Sequence, residues 1–366
     1  MRLTANRDTL LKPLGYVAGV VERRQTLPIL SNVLLCAHAG KLTMTGTDLE
    51  VEVVAGTNVE GGDDGEITVP ARKLYDICRA LPAGAEVRVS EQDGRAVVQS
   101  GKSRFVLGIL PAADFPNIDT GQWDVTFTLA AEVLRGVVER THFCMAHQDV
   151  RYYLNGLLLE LSGDQLRAVA TDGHRMGLSE AAVKAGATGG RQVIVPRKGV
   201  HEMSRFLSTT DAPVEVMLSS NHLRATMDGV TLTSKLIDGR FPDYDQVMPS
   251  TYRWSVRIQR QLLREALGRV AILANEKYRG ARFAFQPGLL TVTAHNPEQE
   301  EAQEQLAVEY QGEELEIGFN VNYVIEAISG LGGDEVELAM NDPNSSSVLQ
   351  SPTQSHTRYI IMPMRL

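Results

Sequence analysis

One pattern recurs three times along the 366 residues of this chain, and it limits the fold before any single residue is considered. The stretch Gly40-Lys41-Leu42-Thr43-Met44-Thr45-Gly46-Thr47-Asp48 is echoed by Asp164-Gln165-Leu166-Arg167-Ala168-Val169-Ala170-Thr171-Asp172 and by Gly288-Leu289-Leu290-Thr291-Val292-Thr293-Ala294-His295-Asn296, about 124 residues apart each time. One supersecondary plan is therefore built three times. Upstream lie further apolar runs, Leu30 to Leu35, Leu154 to Leu159 and Gly280 to Phe285, whose alternation suits strands. Helical spacing precedes them in Leu10, Leu14, Val17 and Val21, in Leu134, Val137 and Val138, and in Leu263, Ala266, Leu267 and Val270. It returns after them in Leu74, Ile77, Cys78 and Leu81, in Val200, Met203 and Leu207, and in Val324, Ile325, Ile328 and Leu331. Strands grouped between helices, with turn signals at Asp93-Gly94 and Asp228-Gly229, predict an α+β fold with antiparallel sheets. Lapses in the periodicity divide the chain into 1–122, 128–248 and 253–366, and Gly61-Gly62, Gly189-Gly190 and Gly332-Gly333 read as loops.

Composition narrows the class. Hydrophobic residues at 43% and charged residues at 22% are ordinary for a globular protein. No apolar run approaches the roughly 18–20 residues of a membrane span, and the N-terminus lacks a signal-peptide layout, so a cytoplasmic protein without membrane partners is expected. Cys36, Cys78 and Cys144 are odd in number and sit in apolar stretches, as buried free thiols do. The net charge of −9 opposes phosphate binding if it is spread evenly. It is not. The helical stretches carry about fourteen basic residues against about seven acidic ones, while the acidic excess lies in Asp63-Asp64, Glu298 to Glu304 and Glu313-Glu314. A basic helical face with an acidic exterior suits sequence-independent contact with phosphates. Size then discriminates, because a domain of about 120 residues is roughly 35 Å across. Three such spheres in a closed ring leave a hole of about 5 Å and six leave about 35 Å, so a three-repeat chain that encircles a double helix must dimerise head to tail.

Specific motifs accompany the repeat. The first unit carries Leu27-Pro28-Ile29-Leu30, Thr45-Gly46-Thr47-Asp48-Leu49-Glu50, Val69-Pro70-Ala71-Arg72-Lys73 and Leu110-Pro111-Ala112-Ala113-Asp114-Phe115-Pro116-Asn117. The second carries Met145 to Gly156, Ala170-Thr171-Asp172-Gly173-His174-Arg175 and Asp238-Gly239-Arg240-Phe241-Pro242-Asp243-Tyr244; the third carries Asn296 to Ala302 and ends Met362-Pro363-Met364-Arg365-Leu366. On these residues the chain resembles the bacterial DNA polymerase III beta subunits, the sliding clamps, over essentially its whole length.

The resemblance implies three similar domains in a half-ring, with helices lining the hole and sheets outside, closed by a homodimer into six domains. It implies a non-catalytic processivity factor without cofactor or metal. The partners would be double-stranded DNA, the replicative polymerase, the clamp loader and other proteins that carry a clamp-binding motif. Positions matching the family's DNA contacts are Arg24, Arg72, Gln148, Tyr152 and Tyr153, and the basic helix start Arg197-Lys198 joins them. Arg suits phosphate, and tyrosines stack on bases or reach backbone oxygens. Matching the family's partner-peptide pocket are Leu154, Thr171, Gly173, His174, Arg175, Met176, Pro242, Val247, Asn320, Tyr323, Ser346, Ile360, Met362, Pro363, Met364 and Arg365. Methionine-rich surfaces repack around different ligands. Asp245-Gln246 and Pro343-Asn344 depart from the family pattern at the pocket edge. The subunit interface would set Lys73, Phe105 and Leu107 of one chain against Ile272, Leu273, Glu298, Glu300, Glu301 and Glu304 of the next.

Two other classes compete. A multidomain enzyme could use Asp172 and His174, but residues so close in sequence seldom face each other and no nucleophile motif accompanies them. No Gly-rich loop ending in Gly-Lys-Ser/Thr is present for nucleotide hydrolysis, and no Cys/His spacing suits zinc. A peptide-binding adaptor without DNA would be a monomer and would not be retained on circular DNA.

Overall fold

The computed structural model describes residues 1–22, 27–208 and 211–365, apart from the side chains of 185–189. Among the described residues, six α-helices, α1 (Arg7–Val20), α2 (Ala71–Ala80), α3 (Ala131–Glu139), α4 (Arg197–Leu207), α5 (Arg260–Val270) and α6 (Val321–Gly330), lie where the apolar spacing places them. Each of α2, α4, α5 and α6 turns its predicted apolar stripe inward, as Leu74 and Cys78, Val200 and Met203, Leu263 and Leu267, and Val324 and Ile328 show. Side-chain caps open α1 and α6. Asn6 accepts the amide of Asp8 ahead of α1, and Asn320 accepts the amides of Asn322 and Tyr323 ahead of α6.

Every strand ladder among the described residues is antiparallel. The two Asp-Gly pairs make tight hairpins in which both residues have positive φ, +50° and +69° at Asp93-Gly94 and +51° and +74° at Asp228-Gly229. Gly332-Gly333 is a loop, but Gly61-Gly62 is part of the strand Glu60–Asp63 and Gly189-Gly190 part of the strand Arg175–Pro196. Gly62 is needed for close approach rather than for a turn, since a Cβ there would stand 1.9 Å from the carbonyl oxygen of Arg2. Cys78 and Cys144 are buried free thiols as expected, whereas Cys36 is only partly buried.

The chain forms two compact units, Met1–Leu134 with Lys198–Leu236, and Arg135–Arg197 with Ile237–Leu366. The middle repeat is thus divided between them, and backbone ladders explain why. In the first unit the strand Val230–Lys235 of the middle repeat pairs with Val51–Asn58 of the first, making one eight-stranded sheet. In the second unit Arg175–Pro196 of the middle repeat pairs with Thr357–Ile361 of the third, making one six-stranded sheet. Such pairing satisfies edge groups that each repeat alone would leave open. A five-stranded sheet ending in Ser103–Gly108 completes the first unit, and a four-stranded sheet ending in Glu301–Ala307 completes the second.

Candidate functional site

All sixteen expected pocket residues belong to the second unit. The connection between the strands Gly156–Thr171 and Arg175–Pro196 carries Thr171, Gly173, His174 and Arg175 among them. Gly173 adopts φ +87°, and the Asp172 carboxylate accepts the amides of His174 and Arg175, each at 2.9 Å. The Thr171 hydroxyl donates to the carbonyl of Arg175 at 2.7 Å and accepts the amide of Gly173 at 3.1 Å. Asp172 therefore holds a turn rather than activating His174, which is exposed.

Arg175 is fixed from every side. Its guanidinium bonds Asp172 at 3.1 Å, the carbonyl of Phe143 at 2.7 Å and the carboxylate of Glu326, and lies 4.3 Å from the Tyr323 ring centroid and 5.5 Å from that of Phe143. The paired carboxylates offset the desolvation of the guanidinium. Burial, reinforced by Asp172, pushes the Tyr323 phenol up, and burial likewise raises the Cys144 thiol beneath it, so neither ionises at neutral pH.

The C-terminal tail carries the last four of the expected residues, Met362 to Arg365. The Met362 amide donates to the His174 carbonyl at 2.9 Å, and the Met364 amide donates to the Gly318 carbonyl at 2.8 Å. Gly318 lies in Leu315–Asn320, the edge strand of the four-stranded sheet, so the tail bridges the two sheets of this unit. Leu154, Met176 and Ile360 are fully buried and so offer no exposed contact surface; Met176 and Ile360 belong to a core with Leu158, Val169, Phe241 and Tyr244. Gly173, His174, Pro242, Val247 and Arg365 are exposed, while Thr171, Arg175, Asn320, Tyr323, Ser346, Met362, Pro363 and Met364 are half-buried. Ser346 donates to the carbonyl of Val247 at 3.3 Å, tying the two edges. Glu326 and Phe143 escaped the sequence reasoning; the one available signal was that Glu326 follows Tyr323 by three positions on α6, on the same helix face.

The expected DNA contacts are divided between the units, and Arg24 lies outside the described residues. Arg72 is exposed on α2 and donates to the carbonyl of Val21 at 2.7 Å. Gln148 is exposed in a loop at φ +56°, and Tyr152 is 56% exposed. Tyr153 stands edge-on to Tyr152 at 5.7 Å but packs against the core, so it also supports structure. Arg197 donates to the carbonyls of Met145 and Ala146, at 3.1 and 3.3 Å. Lys198 is paired with Glu22 at 2.6 Å and with Asp48, so its charge is matched within the chain.

The expected interface residues sit on or beside sheet edges. Phe105 is half-buried on the edge strand Ser103–Gly108, while Leu107 turns into its own core. Lys73 is exposed on α2. After α5, Ile272 is 75% exposed and Leu273 half-buried. Glu301 and Glu304 lie on the edge strand Glu301–Ala307, where Glu304 pairs with Arg269 at 2.6 Å. Glu298 and Glu300 are exposed beside it, Glu300 accepting from the Asn296 amide group. No cluster of His, Cys, Asp and Glu suited to a metal occurs among the described residues.

The chain matches three family models in tandem, described as DNA polymerase III beta subunit N-terminal domain over residues 1–119, central domain over 128–243 and C-terminal domain over 245–365. It is 49% identical to the beta sliding clamp of Pseudomonas aeruginosa and 48% identical to that of Escherichia coli K12, with 100% of both chains covered in each case. Among solved structures, the P. aeruginosa clamp bound to griselimycin superposes with a TM-score of 0.97 at 49% identity, covering 100% of both chains. The Caulobacter crescentus clamp superposes at 0.96 and 39% identity, covering 100% of this chain and 99% of that one; polyethylene glycol is bound there to a putative beta-motif tethering region.

Proposed function

This chain belongs to the DNA polymerase III beta subunit family, the sliding clamps, and from that premise we propose that it encircles duplex DNA as a homodimer and tethers the replicative polymerase there. The observation that carries this is the tandem match of all three family domains across the whole chain. It supports the units 1–122, 128–248 and 253–366 as the repeats of a half-ring with helices towards the hole and sheets outside. Two such chains joined head to tail give six domains. Arg72, Gln148 and Tyr152 are the exposed candidates for contact with DNA, and Arg24 joins them by its match to the family. Contact through phosphates and aromatic faces is independent of sequence, as sliding requires. Tyr153, Arg197 and Lys198 shape the supporting structure as much as they face DNA.

Two open sheet edges of opposite charge support the dimer. The edge strand Ser103–Gly108 carries Arg104 beside Lys102, and Glu301–Ala307 carries Glu301 and Glu304. Edge strands left open invite pairing with another chain. Burying Ile272 and Leu273 contributes roughly 1.5–3 kcal/mol per side chain and exposed ion pairs about 0–1, so the apolar pair dominates. Sedimentation tests this: the intact protein should run at twice its chain mass of 40.1 kDa, and Ile272→Ala with Leu273→Ala should run as a monomer. A double variant that stays dimeric at low concentration contradicts the assignment.

The pocket between the Thr171–Arg175 turn and the tail receives short peptides from polymerase, clamp loader and other clients, in the cytoplasm and without catalysis by the clamp itself. Half-buried methionines around an exposed rim fit a shared, exchangeable site. The relative solved with griselimycin bound is consistent with a ligand-binding pocket on a clamp of this family.

A further inference from the structure

The tail that walls the peptide pocket also walls a second depression. Met364 and Arg365 border a trough of about 400 Å3 on the outer face of the four-stranded sheet, within the roughly 300–1,000 Å3 of ordinary ligand pockets. Alternation creates it. Phe283, Phe285, Leu290 and Val292 turn into the core, which leaves Arg282 and Thr293, directly opposite each other in register, on the other face. His295 ends one strand, and Tyr278, 56% exposed, rises at one side with the Lys277 ammonium 5.1 Å from its ring centroid. Arg282 is exposed and pairs with Glu316 at 3.3 Å, while Arg365 is exposed and has no ion pair among the described residues. No carboxylate is among the described residues that line the trough.

We infer that this trough is a second docking subsite, which takes an acidic segment flanking the docking motif of a client peptide. Two arguments select that occupant. The lining offers the guanidinium groups of Arg282 and Arg365 with an aromatic wall, which suits carboxylates on a short extended segment. Met364 and Arg365 are shared with the peptide pocket, so a bound peptide that continues past them enters the trough without a new binding event. The inference rests on the pocket reading above, and extending the peptide adds contact without touching the motif.

Calorimetry on the full chain compares the motif that the family resemblance implies for clients, a Gln followed by Leu and aromatic residues, with the same motif carrying a pair of Asp before it or after it. One of the extended peptides should bind about fivefold tighter than the motif alone at low salt. That gain should vanish in Arg282→Gln, persist in Arg282→Lys and be blocked by Thr293→Phe, which fills the trough, while the motif alone binds every variant equally. If the motif alone fails to bind the wild-type chain, the pocket reading falls and this inference with it. If the motif binds but neither extension gains affinity, or the gain survives both Arg282→Gln and Thr293→Phe, the trough is overturned and the pocket stands.

Discussion

Arg175 and Lys198 are both cations at positions of expected function, yet their partners give them different work. Arg175 braces the Thr171–Arg175 turn through Asp172, Glu326 and two aromatic rings, whereas Lys198 matches Glu22 and the nearly buried Asp48. Removing one member of a buried pair leaves the other uncompensated. Lys198→Ala should therefore lower stability by about 1–3 kcal/mol while changing DNA affinity less than Arg72→Ala does. Thermal melts beside DNA-binding titrations check this, and an unchanged melting temperature with a large loss of DNA affinity would assign Lys198 to the nucleic acid. The loop carrying Gln148 gives a second case. The Arg151 guanidinium beside Asp149, with the Arg151 amide, holds its carboxyl down at about 2. A carboxylate depressed in the folded state stabilises it above the unfolded pKa, and that contribution fades as pH falls towards the folded value. The brace should hold down to roughly pH 4 and be lost towards pH 2. Carboxyl NMR titration should place Asp149 near 2, and Arg151→Ala should return it towards 3.8; an ordinary midpoint in the intact chain removes the brace. Motifs in the sequence located Arg175 but not Glu326, because that partner stands 151 positions away and its only mark is the spacing from Tyr323 on α6.

At the level of elements, what was legible was local. Apolar spacing located the helices, and the Asp-Gly pairs announced hairpins, because both signals depend on neighbours a few positions apart. The glycine pairs misled where glycine serves a close backbone approach inside a strand. Which strand edges join was also hidden: the ladder from Val230–Lys235 to Val51–Asn58 crosses a repeat boundary, and alternation fixes a strand's faces but not its partner. The tail illustrates the consequence. Its two amide bonds contribute about 1 kcal/mol each, small beside a typical domain stability of about 5–15 kcal/mol. The strand before it, Thr357–Ile361, remains paired on both sides. Deleting 362–366 should thus leave a folded dimer that no longer binds client peptide or stimulates polymerase. Calorimetry on the truncated dimer checks this, and unchanged peptide affinity shows that the tail lies outside the site.

For the whole molecule, the net charge of −9 and the proposed hold on DNA are reconciled by distribution and topology rather than by affinity. The threefold repeat was plain in the sequence, and ring arithmetic turned it into a demand for two chains. The candidate DNA contacts include exposed Arg72, Gln148 and Tyr152, but no described element reads as a base-specific module. Retention should then depend on whether the DNA has ends. The direct measurement loads the protein onto closed circular duplex, isolates the complex, and cuts the circle once. The account predicts that protein stays on the closed circles and leaves promptly once they are linear; equal retention on both forms would contradict encirclement.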